Sequence, residues 1–146
     1  MIKKYLLVIV LFIIQFLFAQ KDSSASSIVV KLNGIKQPAG QVLLSLFNNS
    51  EGFPTQPEKA FKWAKAKVTS SSLIISLDGL PYGNYAIAVV QDENENEVLD
   101  TNVLGLPIEP YGISNNATGT LGPPTFDNAK FTVTGKRDTV NIEMHP

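Results

Sequence analysis

"LDGLPYGNYAIAVVQ", Leu77 to Gln91, decides the fold. Within it Tyr85, Ile87 and Val89 alternate with Ala86, Ala88 and Val90, so a strand built here has no polar face and belongs at the centre of a sheet. An apolar strand ends at Leu80, the Pro81-Tyr82-Gly83 triplet supplies a turn, and Tyr85 opens the buried strand. The Tyr85 hydroxyl is expected to pin that turn.

Working outward, the neighbouring segments share the period-two pattern and are bounded by Gly, Pro, Asn or Asp. Ile28, Val30 and Leu32 face one way in "SIVVKLNG". Val42, Leu44 and Leu46 do so in "GQVLLSLFN", with Leu43 and Phe47 on the second face, and Leu73, Ile75 and Leu77 do so in "SLIISL". Near the end, Phe131 and Val133, the polar "GKRD" and then Val140, Ile142 and Met144 read as a closing hairpin. Lys62, Lys65 and Lys67 in "KWAKAKV" read as the guard of an edge strand. "NNSEGFPTQPEKAFKW" has no clean period and two prolines, so it is expected to be a loop with one helical turn near Pro57 to Phe61. Short strands at this density predict an all-β fold: an antiparallel β-sandwich of about seven strands. The turn and tyrosine of the opening stretch resemble those of immunoglobulin-like and transthyretin-like domains.

The chain begins "MIKKYLLVIVLFIIQFLFAQ", with two lysines, an almost wholly apolar run from Tyr5 to Phe18, and a small residue, Ala19. This is the layout of a secretory signal peptide, residues 1–19, with export to the periplasm or the exterior. The run is shorter than the roughly 20 apolar residues of a membrane span, so no span is expected after cleavage. Residues 20–27 read as a flexible leader and 28–146 as one sandwich domain. Loss of Lys3 and Lys4 takes the 12 bases to 10 against 13 acids. No basic footprint for nucleic acid remains. The sequence has no cysteine, which excludes a thiol nucleophile and leaves packing or a bound ion to stabilise the exported fold.

Five of the 13 acids, Asp92, Glu93, Glu95, Glu97 and Asp100, crowd into "QDENENEVLD". Counted from Asp92, the side chains of Asn94, Asn96 and Asp100 and the carbonyl of Val98 fall at the oxygen-bearing positions three, five, nine and seven of a calcium loop. Ca²⁺ is a hard cation that takes six to eight oxygens at about 2.3 to 2.6 Å, and alternate residues of a curled loop converge on one point. Position six, ordinarily Gly, is Glu97, and position twelve, ordinarily a bidentate Glu, is Val103. Glu109, Asn102 or water would have to supply the missing oxygens, so weak affinity, roughly 10⁻⁴ to 10⁻³ M, is expected. The competing expectation is a well-solvated turn in which Asn and Asp supply the turn conformations. Beyond it, Asp92 to about Thr125 lacks periodicity. Its Leu104, Leu106, Ile108, Tyr111, Ile113, Leu121 and Phe126 predict a long loop folded over one end of the sandwich.

"LPYGNYAIAVVQDENENEVLDTNVLGLPIEPYGISNN", followed by "GPPTFDNAKF", resembles the bacterial secreted family known as domain of unknown function 2141, closely over Leu80 to Phe131. The resemblance implies a secreted β-sandwich with no established activity. It carries an acidic loop onto Asp92, Asn94, Asn96 and Asp100, and a second block onto Glu109, Tyr111, Gly112, Ser114 and Asn115. Gln91 stands where that family's pattern has His, and Glu97 where it has Gly.

For function, a binding or structural module of the cell envelope is expected, with Glu109, Tyr111, Ser114, Asn115 and Asn116, and Trp63 or Phe53 beside them, available to a glycan, a peptide or an envelope protein. The alternative is a hydrolase or carbohydrate-active enzyme built around Glu109 and Tyr111, with Glu109 paired to Asp92 or Asp100. A Ser-His-Asp triad would have to recruit His145, the sole histidine, beside the C-terminal Pro146.

Overall fold

The computed structural model describes residues 26–145. The readings of residues 1–19 as a signal peptide and of 20–25 as leader lie outside the described residues. Among the described residues there are eight strands: β1 (Ser26–Asn33), β2 (Gln41–Phe47), β3 (Lys62–Lys67), β4 (Leu73–Leu80), β5 (Gly83–Asp92), β6 (Tyr111–Ile113), β7 (Phe131–Val133) and β8 (Arg137–Glu143). One sheet has the order β4-β1-β8, the other β3-β2-β5-β6, with β7 also on β5. The expected all-β sandwich is therefore the observed fold. No helix of the described residues is long and apolar enough to cross a membrane.

The alternation read from the sequence faces the two sheets onto one core. Ile28, Val30, Leu32, Ile75, Leu77, Val140 and Ile142 come from the first sheet. Val42, Leu44, Leu46, Tyr85, Ile87 and Val89 meet them from the second. β5 is central, as its doubly apolar pattern requires, pairing with β2 on one side and with both β6 and β7 on the other. Its small outward residues Ala86 and Ala88 leave room for a second apolar layer with Phe47, Ile113 and Ala129. Phe53 and Phe126 cover that layer, and edge contacts join Phe47 to Phe53 at 5.3 Å and Phe53 to Phe126 at 5.9 Å. The Tyr85 hydroxyl donates to the Pro81 carbonyl at 2.8 Å, closing the turn before β5 as expected. The helical turn in the proline-containing loop is the 3₁₀ turn Pro57–Lys59.

Four local expectations are corrected. β7 and β8 do not form a hairpin. β7 pairs antiparallel with β5, and the chain then crosses to the other sheet, where β8 pairs parallel with β1. Val133, Val140 and Ile142 all point into the same core, and such inward alternation is identical for a hairpin and for an arch between sheets. The parallel β1–β8 pair also makes the sandwich mixed rather than wholly antiparallel. β1 begins at Ser26, inside the expected leader, because Ser26 is buried and its hydroxyl donates to the Gly135 carbonyl at 2.5 Å. Finally, the long loop is interrupted by β6 and by a helical turn at Phe126–Ala129. Its apolar residues divide: Ile113 is buried and Tyr111 and Phe126 pack on the second layer, but Leu104, Leu106, Ile108 and Leu121 face solvent.

Candidate functional site

β5 runs straight into the acidic loop. Its last residue, Asp92, lies beside Gln41 at the start of β2 and is fully buried. The Asp92 carboxylate accepts from the Asn96 N–H at 3.0 Å through one oxygen. The other oxygen accepts from the Glu97 N–H at 2.9 Å and the Gln41 amide at 2.8 Å. Burial pushes this carboxyl up, but the hydrogen bonds from Gln41 and the backbone N–H groups of Glu97, Asn96 and Glu95 outweigh it and hold the group below its usual range. The loop curls tightly enough for Glu95 and Glu97 to take φ of 60° and 64°. Glu97 thus adopts, at the sixth position, the left-handed conformation for which glycine is the usual residue. The approach of β2 is equally close: a Cβ on Gly40, itself at φ 65°, would lie 2.1 Å from the Asp92 carbonyl oxygen.

Around Asp92 the remaining oxygen-bearing side chains converge. Asn94 donates to one oxygen of Asp100 at 2.6 Å and Asn96 to the other at 3.2 Å. Asn94 Oδ1 accepts from the Asn96 N–H and Asn96 Oδ1 from the Val98 N–H. Val98 places its side chain in solvent, and Leu99 is half-buried. Glu95 and Glu97 point away from this centre toward β3. Glu97 pairs with Lys65 at 2.5 Å and Glu95 with Lys67 at 3.6 Å. Hydrogen bonding and charge from Glu97 raise the Lys65 ammonium pKa. The expected edge-guard lysines do lie on an edge strand, β3, and two of them also hold the acidic loop.

Neither Glu109 nor Asn102 turns to that centre. Glu109 is 4% exposed, and its two oxygens accept from the Glu93 and Asp100 N–H groups, both at 3.0 Å. It closes the base of the acidic loop. Asn102 Oδ1 accepts from the Leu104 and Leu106 N–H groups and caps the next turn. Among the described residues, no three His, Cys, Asp or Glu side chains gather to hold a metal. The donor set at the loop is two carboxylates, Asp92 and Asp100, with two amides, Asn94 and Asn96.

The second block of site residues is not gathered into one open surface. Ser114 is fully buried: its hydroxyl accepts from the Ile87 N–H at 2.9 Å and donates to the Ala129 carbonyl at 2.7 Å. That position corrects its reading as a ligand contact, because β5 needs a partner in the gap between β6 and β7. Asn115 donates to the Lys130 carbonyl at 2.8 Å, and Asn116 accepts from the Glu143 N–H at 3.0 Å. Tyr111 is half-buried, 6.0 Å from the His145 ring, with its backbone paired to that residue. Trp63 stands exposed on β3, whereas Phe53 is packed in the second layer.

The partners of four residues escaped the sequence reading: Gln41, which meets Asp92 only through the β2–β5 register; Lys65 and Lys67, read only as edge guards; and Gln91, read only as a departure from the family's His. Gln91 donates to the Gln37 and Ala39 carbonyls while its own buried oxygen has no protein partner. No local pattern marks these pairings. Comparison with curated proteins and with solved structures gives no match. A family model described as "Uncharacterized protein conserved in bacteria (DUF2141)" matches residues 30–141, most of the chain, and with that loop and sandwich in place the chain belongs to the domain of unknown function 2141 family.

Proposed function

We propose that this chain is an exported, non-enzymatic β-sandwich module of the cell envelope whose Asp92 to Asp100 loop takes up Ca²⁺. The observation that carries the reading is the convergence of Asn94 and Asn96 on the Asp100 carboxylate beside buried Asp92. The positive ends of two amide dipoles sit on Asp100 in the place that a cation would take, so an ion entering there displaces those N–H contacts. Each amide oxygen spends one lone pair on a backbone N–H, and the second is free for an ion. Asp92, Asn94, Asn96 and Asp100 would hold the metal, with water and the Val98 carbonyl completing the shell. The bound charge would add to a loop already held by Asp92, by Glu109 at its base and by the β3 lysines.

The hydrolase alternative draws no support from Glu109, whose carboxylate is buried on two backbone donors. Calorimetric titration of chelator-stripped residues 20–146 with Ca²⁺ tests the proposal, beside Asp100→Asn, which keeps the shape of the side chain and removes its charge. A saturable heat and a raised Tm, both lost in the variant, are expected. No heat and no shift up to about 10 mM, beyond the range of extracellular modules, would leave the loop a self-satisfied turn.

A further inference from the structure

The hairpin that leaves the acidic loop is closed by hydrogen bonds and yet turns its apolar side chains outward. Its backbone closes through hydrogen bonds from the Asn102 N–H to the Leu106 carbonyl, Gly105 to Asn102 and Ile108 to Asp100, and through the Asn102 side-chain cap. No residue from 101 to 108 is charged. Val103 is fully exposed, Leu104 79%, Ile108 62% and Leu106 58%. Contiguous apolar surface held in water on a folded domain marks an interaction site. Against Ile108 and Pro110 lies a recess of about 190 Å³ that also meets Lys36 and Glu93. Among the described residues neither of these opposite charges is in an ion pair.

We propose that this end of the sandwich docks on a zwitterionic phospholipid surface. The hairpin tip, Val103 to Leu106, enters the interfacial zone, and the recess beside it receives a headgroup, with Lys36 facing the phosphate and Glu93 the ammonium. Two features select this occupant. The tip projects with both of its turn residues bare, a shape that a fluid interface surrounds and that a protein partner would need a matching pocket to cover. The recess offers one cation and one anion, the charge pattern of such a headgroup. Of the other acids nearby, Glu95 and Glu97 are paired with lysines, whereas the neutral amides on Asp100 leave its charge in place, so a zwitterionic surface suits this end better than an anionic one. Calcium has no part in this docking.

The test uses residues 20–146, which hold all eight strands and omit the apolar segment Tyr5 to Phe18. Sedimentation with extruded phosphatidylcholine/phosphatidylethanolamine vesicles, in chelator, is followed to about 5 mM lipid. That range is needed because a few apolar side chains bind no more tightly than the roughly 10⁴ M⁻¹ of a single myristoyl chain. Saturable partition is expected. It should fall about tenfold or more in Val103→Asn/Leu104→Asn, which removes two exposed apolar side chains, and severalfold in Lys36→Glu, with Tm unchanged in both. Phosphatidylglycerol vesicles, lacking the ammonium, should bind less. No partition of the wild type, or equal partition of the variants, would overturn the proposal. So would a dimer in sedimentation velocity that the tip variant abolishes without any vesicle binding, which would give the tip to a second copy of the chain.

Discussion

Asp92 shows how one carboxylate can be an architectural group before any ion is considered. Its two oxygens take backbone N–H groups that a tight turn would otherwise leave without partners, and Gln41 ties the same group to β2. These donors hold its folded pKa below the unfolded value of about 3.9. A depressed carboxyl stabilises the fold fully above its unfolded pKa, and the contribution disappears as pH falls through the folded value. Asp92→Asn should therefore lose roughly 1 to 3 kcal/mol at pH 7. The gap between variant and wild type should close below about pH 4, which thermal melts from pH 7 to pH 2 would show. A gap independent of pH would mean that shape, and not charge, is what Asp92 contributes.

At the scale of elements, the informative feature is the broken edge beside β5. β6 covers Ala88 to Val90 and β7 covers Gly83 to Tyr85, which leaves Ile87 facing a gap. The chain between these two short strands makes an excursion through the helical turn at Phe126–Ala129, and the Ser114 hydroxyl fills the gap by bonding Ile87 and Ala129 at once. Ser114→Ala should cost about 1 to 3 kcal/mol, since it strands a buried donor and a buried acceptor. Urea unfolding should show the loss as a lower midpoint at unchanged slope. A neutral result would mean that water replaces the hydroxyl. The acidic loop is likewise an element held from several sides, by Glu109 at its base and by the β3 lysines along its flank. The lysine pairs are exposed, so they add little and are screened by salt.

Across the whole molecule, β8 and the residues after it join the two sheets. β8 pairs with β1, Met144 donates to the Asn33 carbonyl and is buried, and His145 exchanges two backbone hydrogen bonds with Tyr111 of β6. In the sequence this histidine stands out only as the one beside the C-terminal Pro146. Deleting the chain from Met144 onward should cost about 2 to 4 kcal/mol through the lost side-chain burial and hydrogen bonds. Faster amide exchange in β6 should accompany it, and exchange confined to the new terminus would contradict the linking role. Most of the core was legible in advance, because Ile28, Val30, Leu32, Val42, Leu44, Leu46, Tyr85, Ile87 and Val89 announce their side by alternation alone. β6 was not, since three residues are too few to show a period. Nor was the separation of β7 from β8, because the pattern records burial and not the partner.

Every strand but β6, the central place of β5, the tyrosine that closes its turn, and the crowding of oxygen-bearing residues after it could be read from the residues alone. All of these follow from side-chain period and local backbone preference. Only the tertiary structure decided that Ser114 faces inward, that Glu109 serves two backbone N–H groups, that Lys65 and Lys67 meet the acidic loop, and that Val103 and Leu104 stand in solvent. Each depends on which distant segment comes to lie alongside, and strand register, unlike alternation, is set by the packing of the whole sandwich.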